Sequence, residues 1–449
     1  MAETHKGFGL LFEMGCGKTL TAIMIAGTAY QMGKVEKVLV VAPTSVCSVW
    51  PKDFAEFADF KANIKVLLGD KNRRLKLLND LDNFPFKALK VAVINYESTW
   101  REGIFDALYE WNADMIICDE SQRIKSHDAE QSKAMHKLGD QAKYKLILSG
   151  TPVQNNAIDL YSQYRFLDPT IFGTNFYQFR NRYAIMGGFN RHQIVGYKDL
   201  DQLIQKEHSI AYRVTKDEAL DLPEQTFLQR YITMSAKEKN IYDRIKRESF
   251  AELESGGQIS ATTVLTKLLR LQQFTGGFLV ADGEEKPELV SKGKLNALEE
   301  IVDDYVVDAG KKLVIFARFR PELDIIGQML KKKKLRYGEI YGDVKLEDRG
   351  DIGKDFQTNP ETMVFLAQID TAGLGITLTA ADTCVYYSVN FNYAAYSQSL
   401  ARIHRIGQKN ACTYIHLITE GTIDEVVLKA LAKKEDLAKT VVDTWRDYF

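Results

Sequence analysis

Short apolar runs alternating with amphipathic stretches constrain this chain more than any other feature. Residues 7–12, 37–42, 63–68, 89–95, 115–118 and 145–148 each read as a buried strand. Residues 18–31, 49–58 and 126–137 read as the helices between them. A strand returning parallel to its predecessor needs a long connection, and helices in those connections cover both faces of the sheet. From about residue 156 to 275 the rhythm stops, and the sequence reads as mostly helical with no strong strand run. Within that stretch residues 212–223 (YRVTKDEALDLP) are polar and end in proline, which reads as a hinge. Alternation resumes at residues 312–316, 335–341, 362–367, 383–387 and 413–418, and a helical tail covers 422–443. The expected fold class is α/β: two parallel-sheet lobes over residues 1–215 and 216–449. Helical protrusions are expected from about 156 and over about 231–290.

Composition supports sizeable cores. Hydrophobic residues make up 45% and charged residues 27%, which excludes disorder and collagen-like structure. The 59 basic and 60 acidic side chains leave a net charge of −1, so bulk charge cannot hold a nucleic acid. A local basic groove is still open: residues 1–215 carry +3 and residues 216–449 carry −4. The five cysteines are scattered and never spaced C-x-x-C, which argues against a zinc knuckle or a disulfide framework. With no signal peptide and no membrane-length apolar run, the expectation is a cytoplasmic protein without a membrane partner.

Three segments of the first half point to triphosphate chemistry. Residues 12–23 (FEMGCGKTLTAI) follow a strand and open a helix. A glycine turn there, Gly15-Cys16-Gly17, lets backbone N–H groups close around phosphates at the positive end of the helix. Lys18 would reach the β/γ-phosphates and Thr19 would join a Mg²⁺ shell, although Phe12 stands where the full pattern has glycine. The apolar strand at 115–118 ends in Asp119-Glu120: Asp119 can hold Mg²⁺, and Glu120 can orient or deprotonate water. In LILSGTPVQNN, Ser149 and Thr151 are expected to hydrogen-bond that acidic pair. In the second half, QSLARIHRIGQ spaces Arg402 and Arg405 for one helix face, suited to stabilising a transferring phosphoryl group. Upstream, residues 370–382 (DTAGLGITLTAAD) offer free N–H and hydroxyl groups to a phosphate chain.

Taken in order, these elements resemble the Swi/Snf family of helicase-like ATPases in superfamily two. EMGCGKT, VLVVAPTSVCSVWPKDF, DESQRIK, LSGTPVQNN, VIFARF, the Gly/Thr loop and RIHRIGQ match successive family motifs across nearly the whole chain. The resemblance implies two RecA-like lobes and a DNA-dependent ATPase that translocates on duplex DNA as a monomeric motor. It also implies ATP and Mg²⁺ as cofactors. Gly15, Cys16, Gly17, Lys18, Thr19, Asp119, Gly375 and Gln408 would bind nucleotide, with Thr19 and Asp119 at the metal. Lys18, Glu120, Arg402 and Arg405 would carry catalysis, the arginines as a cross-lobe finger.

Thr44, Ser45, Lys125, Arg318, Thr371 and Thr377 would touch the DNA backbone, positioning the duplex rather than reading its bases. The sequence departs from the family at Asp370, where a basic residue is common, at Phe391 and Tyr393, and at Ala401. Only residues 1–6 precede the first strand, without the family's adenine-reading glutamine segment. That leaves two expectations, a trimmed chain or relaxed base recognition. Two other readings stay open: a strand-separating DNA or RNA helicase, and a nucleotide-gated binding module with little hydrolysis. A bare motor suits replication, repair or defence in a bacterial or virus-infected cell.

Overall fold

The computed structural model describes residues 6–188, 193–254, 261–280, 287–374 and 376–442. Its chain divides into two compact units, Met1–Asp221 with Lys434–Phe449, and Leu222–Lys433.

The first unit is built on strands β1 (Gly7–Phe12), β2 (Lys37–Ala42), β3 (Ala62–Val66), β4 (Leu89–Asn95), β5 (Met115–Asp119) and β6 (Tyr144–Leu148). A hairpin of β7 (Ala184–Gly187) and β8 (Gln193–Tyr197) follows, and then β9 (Ala211–Val214). The sheet order is β3-β4-β2-β5-β6-β1-β9, with every neighbouring pair parallel. All residues of β1 and β5 are buried, as expected for central strands covered on both faces. Helix α1 (Lys18–Gln31) places Ala22, Ile23 and Ala26 in the core with Val38, Val40 and Trp50. Gly27, mid-helix, is there for contact rather than conformation: a Cβ on it would come within 2.0 Å of the Phe60 ring.

The second unit holds β10 (Gln225–Ile232), the small hairpin β11 (Phe278–Leu279) with β12 (Glu288–Leu289), then β13 (Leu313–Ala317) and β14 (Arg336–Ile340). It is completed by β15 (Thr362–Gln368), β16 (Thr383–Tyr386) and β17 (Cys412–Thr419). Its parallel sheet runs β10-β17-β16-β13-β15-β14 around a core that includes Leu313, Ile315, Leu330, Leu366 and Val385. Helices Ala236–Glu254 and Ala261–Thr275 form the insertion. Both units therefore have the expected α/β class.

The expectation that residues 156–275 lack strands is corrected. β9 is only four residues long and finds its partner, β1, some two hundred residues upstream, with Gly9 opposite Ala211 and Phe12 opposite Val214. Part of the expected hinge, Tyr212–Val214, is thus sheet. β10 pairs with β17 over its whole length but is solvated on most of its residues, so it carries no apolar run to betray it. Among the described residues no helix is long and apolar enough to cross a membrane.

Substituting Gly27 with leucine should destabilise the first unit by about 1–3 kcal/mol through overpacking against Phe60. Urea denaturation followed by circular dichroism would show it; an unchanged midpoint would mean that Phe60 moves aside freely.

Candidate nucleotide and nucleic-acid sites

The loop between β1 and α1 turns on Gly15 and Gly17, at φ 90° and 83°, in the left-handed region that side chains avoid. No heavy atom lies within 4 Å of where a Cβ would stand on either glycine. The loop thus presents backbone on its open side, and Gly17 caps α1 without any side-chain partner. Lys18 folds back into this loop, its Nζ donating to the carbonyls of Phe12 at 2.9 Å and Glu13 at 3.1 Å. Burial depresses its basicity, and the facing carboxylates of Glu120 and Asp119 act against that. Thr19 and Cys16 lie half-buried beside it; burial, and then Glu13, raises the Cys16 thiol, which stays protonated at neutral pH.

Asp119 ends β5 and is only 6% exposed. The indole Nε1 of Trp50 donates to its Oδ2 at 3.1 Å, and the Tyr96 hydroxyl donates to its backbone carbonyl at 2.8 Å. Burial, with the neighbouring Glu120 charge, pushes the Asp119 carboxyl up to about 7. A carboxylate held so far from water, facing a lysine across a glycine loop, suits a divalent cation and a polyphosphate. Glu120 takes the left-handed conformation at φ 52° and ψ 54°. Such backbone costs a non-glycine residue energy and clusters at functional sites.

The acidic pair is wired to β6 differently from the sequence expectation. Ser149 Oγ donates at 2.7 Å to Oε1 of Gln122, and Gln122 Nε2 donates to Glu120. Ser149 therefore reaches the pair through an intermediate side chain. The Thr151 hydroxyl is buried and meets no hydrogen-bond partner among the described residues. A second device escaped sequence reasoning. Arg213 of β9, 5% exposed, donates to Leu11 O at 2.9 Å and to Glu13 Oε1 at 3.0 Å, and Lys216 N donates to Glu13 Oε2 at 2.9 Å. The far end of the unit thereby clamps the phosphate loop. Tyr96 and Arg213 carry no motif of their own, and Trp50, although it lies within the segment VLVVAPTSVCSVWPKDF, meets Asp119 only through the fold.

In the second unit the R-x-x-R expectation needs correction. Helix Tyr393–Leu400 stops before Arg402, and Arg402 and Arg405 sit in consecutive turns rather than on one helix face. Arg402 O accepts from Leu378 N at 2.9 Å, and Arg405 is half-buried; that desolvation lowers its guanidinium basicity. Gln408 is not a free ligand: its Nε2 donates to the carbonyls of Ala381, Ile403 and Thr379, and its Oε1 accepts from Lys409 N and Asn410 N. It shapes the turn that carries the arginines. Gly375 lies outside the described residues.

The expected DNA contacts are dispersed around both sheet edges. Thr44 and Ser45 open the helical turn after β2, and Thr44 Oγ1 donates to Glu97 Oε2 at 3.4 Å. Lys125 Nζ donates to Gln154 Oε1 at 2.6 Å. In the second unit Thr371 Oγ1 donates to Gln368 O at 2.6 Å, and Thr377 is half-buried. Arg318 donates to Gln272 of the helical insertion and lies over the Phe319 ring at 4.8 Å. Its backbone N–H donates to Glu322 Oε2 at 3.0 Å and to Ser388 Oγ at 2.8 Å. Asp370, where the family commonly has a base, accepts from Asn390 Nδ2 at 2.8 Å.

The SNF2-related domain family matches residues 2–276, and the helicase conserved C-terminal domain matches residues 293–407. The chain belongs to the SNF2 family. Relatives of this SNF2 chain include an uncharacterized ATP-dependent helicase of Mycoplasma genitalium, 26% identical over 443 residues. The mouse chromodomain-helicase-DNA-binding protein 1-like is 29% identical over 447 residues, and the yeast ISWI chromatin-remodeling complex ATPase is 27% identical over 453. These alignments cover 96–98% of this chain but 40%, 47% and 38% of the respective relatives, so the chain spans less than half of their length. A solved Sulfolobus solfataricus SWI2/SNF2 ATPase core in complex with dsDNA is 27% identical, with a TM-score of 0.44 and coverage of 98% and 90%.

The buried Asp119 makes a prediction with a definite sign. Its folded value near 7 lies above the unfolded value, so ionising it disfavours the native state progressively as pH rises from about 4 to 7. Asp119→Asn should therefore raise the melting point of the nucleotide-free SNF2 chain at pH 8, and the gain should vanish near pH 4. A gain of equal size at both pH values would assign the effect to packing instead.

Proposed function

We propose that this chain is an ATP-dependent translocase on double-stranded DNA, hydrolysing ATP under stimulation by the duplex. The observation that carries this reading is Glu120, in a strained left-handed backbone beside the buried Asp119, with both carboxylates facing Lys18.

Gly15 to Gly17 and the Lys18 ammonium would bind the triphosphate, Lys18 exchanging its two loop carbonyls for phosphate oxygens. Asp119 and Thr19 would hold Mg²⁺, and the bound cation supplies charge neutralisation at the β- and γ-phosphates. Trp50 and Tyr96 keep Asp119 oriented toward that position. Glu120, restrained through Gln122 and Ser149, would orient the attacking water and accept its proton. Arg402 and Arg405 would stabilise charge on the transferring phosphoryl group, with Gln408 shaping their turn. Thr44, Ser45, Lys125, Arg318, Thr371 and Thr377 would grip the duplex backbone. Because these groups would meet the backbone and not the bases, with Lys125 and Arg318 pairing with phosphates, the grip should be sequence-tolerant and salt-sensitive.

Side-by-side ATPase assays with no nucleic acid, duplex DNA, single-stranded DNA and RNA test the track. Duplex should stimulate most, and stimulation by RNA or single strands alone would overturn it. Glu120→Gln and Arg405→Ala should each leave ATP binding within a few-fold while lowering turnover by about 10³-fold. A matching loss of ATP binding in Arg405→Ala would make that arginine structural.

A further inference from the structure

The polar segment at residues 212–223 begins as β9 and runs to the border of the second unit, which starts at Leu222. No step of the chemistry above uses it. Its first residues nevertheless meet the glycine loop before α1 at one side chain, Glu13.

Several connections converge on Glu13. β1 stops one residue earlier, and Glu13 N continues its ladder by donating to Val214 O at 2.8 Å. The Glu13 carbonyl accepts from Lys18 Nζ at 3.1 Å and from Cys16 N at 3.2 Å, which closes the loop on itself. Both carboxylate oxygens are taken by the exit segment. Oε1 accepts from Arg213 Nη2 at 3.0 Å and Oε2 from Lys216 N at 2.9 Å. Arg213 also donates to Gly150 O at 3.3 Å, so the turn after β6 is held by the same guanidinium.

Beyond this anchor the two sides differ. Lys216 opens a short helix, Lys216–Ala219, that is braced by its own capping box. Thr215 N donates to Glu218 Oε2 at 3.0 Å, and Ala219 N donates to Thr215 O at 3.2 Å. One rigid turn therefore lies between the Glu13 carboxylate and the start of the second unit, and a rigid element passes a displacement on. The glycine loop is open instead, with no heavy atom within 4 Å of a Cβ placed on Gly15 or Gly17. Its shape depends on how firmly its first residue is held. When Lys18 turns to a triphosphate, Glu13 loses that bond, and more of the hold falls to the carboxylate.

We infer that Glu13 is a positioning residue that couples the glycine loop to residues 215–221. Order in that segment raises the affinity of the loop for a nucleoside triphosphate. A bound triphosphate orders the segment in return, because coupling between two places is reciprocal. The inference rests on the glycine loop being the triphosphate site. It makes the segment leaving the first unit a reader of nucleotide occupancy.

The deciding variant is Lys216→Pro, with Lys216→Ala as its control. Proline removes the N–H that Glu13 receives, at the first helical position, where no intrahelical bond is lost and the fixed φ fits. Thr215, extended at φ −91° and ψ 162°, accepts a following proline. The full chain is followed by melting temperature, by affinity for a fluorescent ATP analogue with Mg²⁺, and by steady-state ATP hydrolysis. Lys216→Ala should match the parent. Lys216→Pro should weaken analogue binding and raise KM for ATP about 3- to 10-fold, with kcat within about 2-fold. Glu13→Gln should raise KM in the same way, and the double variant should lose less than the product of the two effects. Amide exchange in residues 215–221 should slow when the analogue saturates the parent, but not when it saturates Lys216→Pro. A parental KM in Lys216→Pro would overturn the coupling, even with a lowered melting temperature. So would an equal rise in Lys216→Ala, losses that multiply in full, or unchanged exchange in the parent. A parent chain without affinity for ATP would instead sink the reading of the loop as the triphosphate site, and the coupling with it.

Discussion

A parallel sheet covered by helices on both faces leaves polar chemistry one outlet, the loops at the strand ends. β1 and β5 are buried along their whole length, so a charged residue within them would be desolvated without a partner. The charge the site needs therefore gathers where strands stop: Lys18 after β1, Asp119 at the last position of β5 and Glu120 just beyond it. Asp119 is the extreme case, still inside the strand, and two neighbours meet its hydrogen-bonding needs. Its raised carboxyl value is the electrostatic cost of that position, and the chemistry that would use it is the kind that brings its own positive charge.

Supporting contacts come from far along the chain because a parallel sheet places distant segments side by side. β9 lies against β1, and through that pairing Arg213 and Lys216 hold Glu13 at the mouth of the phosphate loop. Trp50 reaches Asp119 from the helix after β2, because β2 is the neighbour of β5. The same logic places Glu97, after β4, within reach of Thr44, after β2. Strand order, more than motif content, decides which side chains meet.

The second unit shows a related economy. Glu322, fully buried, accepts from the backbone of Arg318 and Phe319 and from Ser388, linking the end of β13 to the end of β16. Gln408 does the same for the arginine turn with one amide. In each case one buried polar side chain takes hydrogen bonds from loop backbone N–H groups, Glu322 through Oε2 alone, which fixes a loop without adding a secondary-structure element.

Local pattern was enough to determine much of this protein. The bounds of β1, β2 and β4 and of helix α1 were legible because a buried parallel strand needs a continuous apolar run, and because a glycine pair before a helix is a local signal. The glycine loop before α1 and the acidic pair at the end of β5 were legible for the same reason. Illegible were β9 and β10: one is too short to carry a pattern, and the other is an edge strand whose residues mostly face water. Nor could local spacing show that Arg402 and Arg405 leave the helix, or that Ser149 acts through Gln122. The contacts of Trp50 and Tyr96 with Asp119 and the hold of Arg213 on Glu13 belong to tertiary structure alone. Their roles arise from contacts between segments tens to hundreds of residues apart, and no local periodicity records which strands will be neighbours.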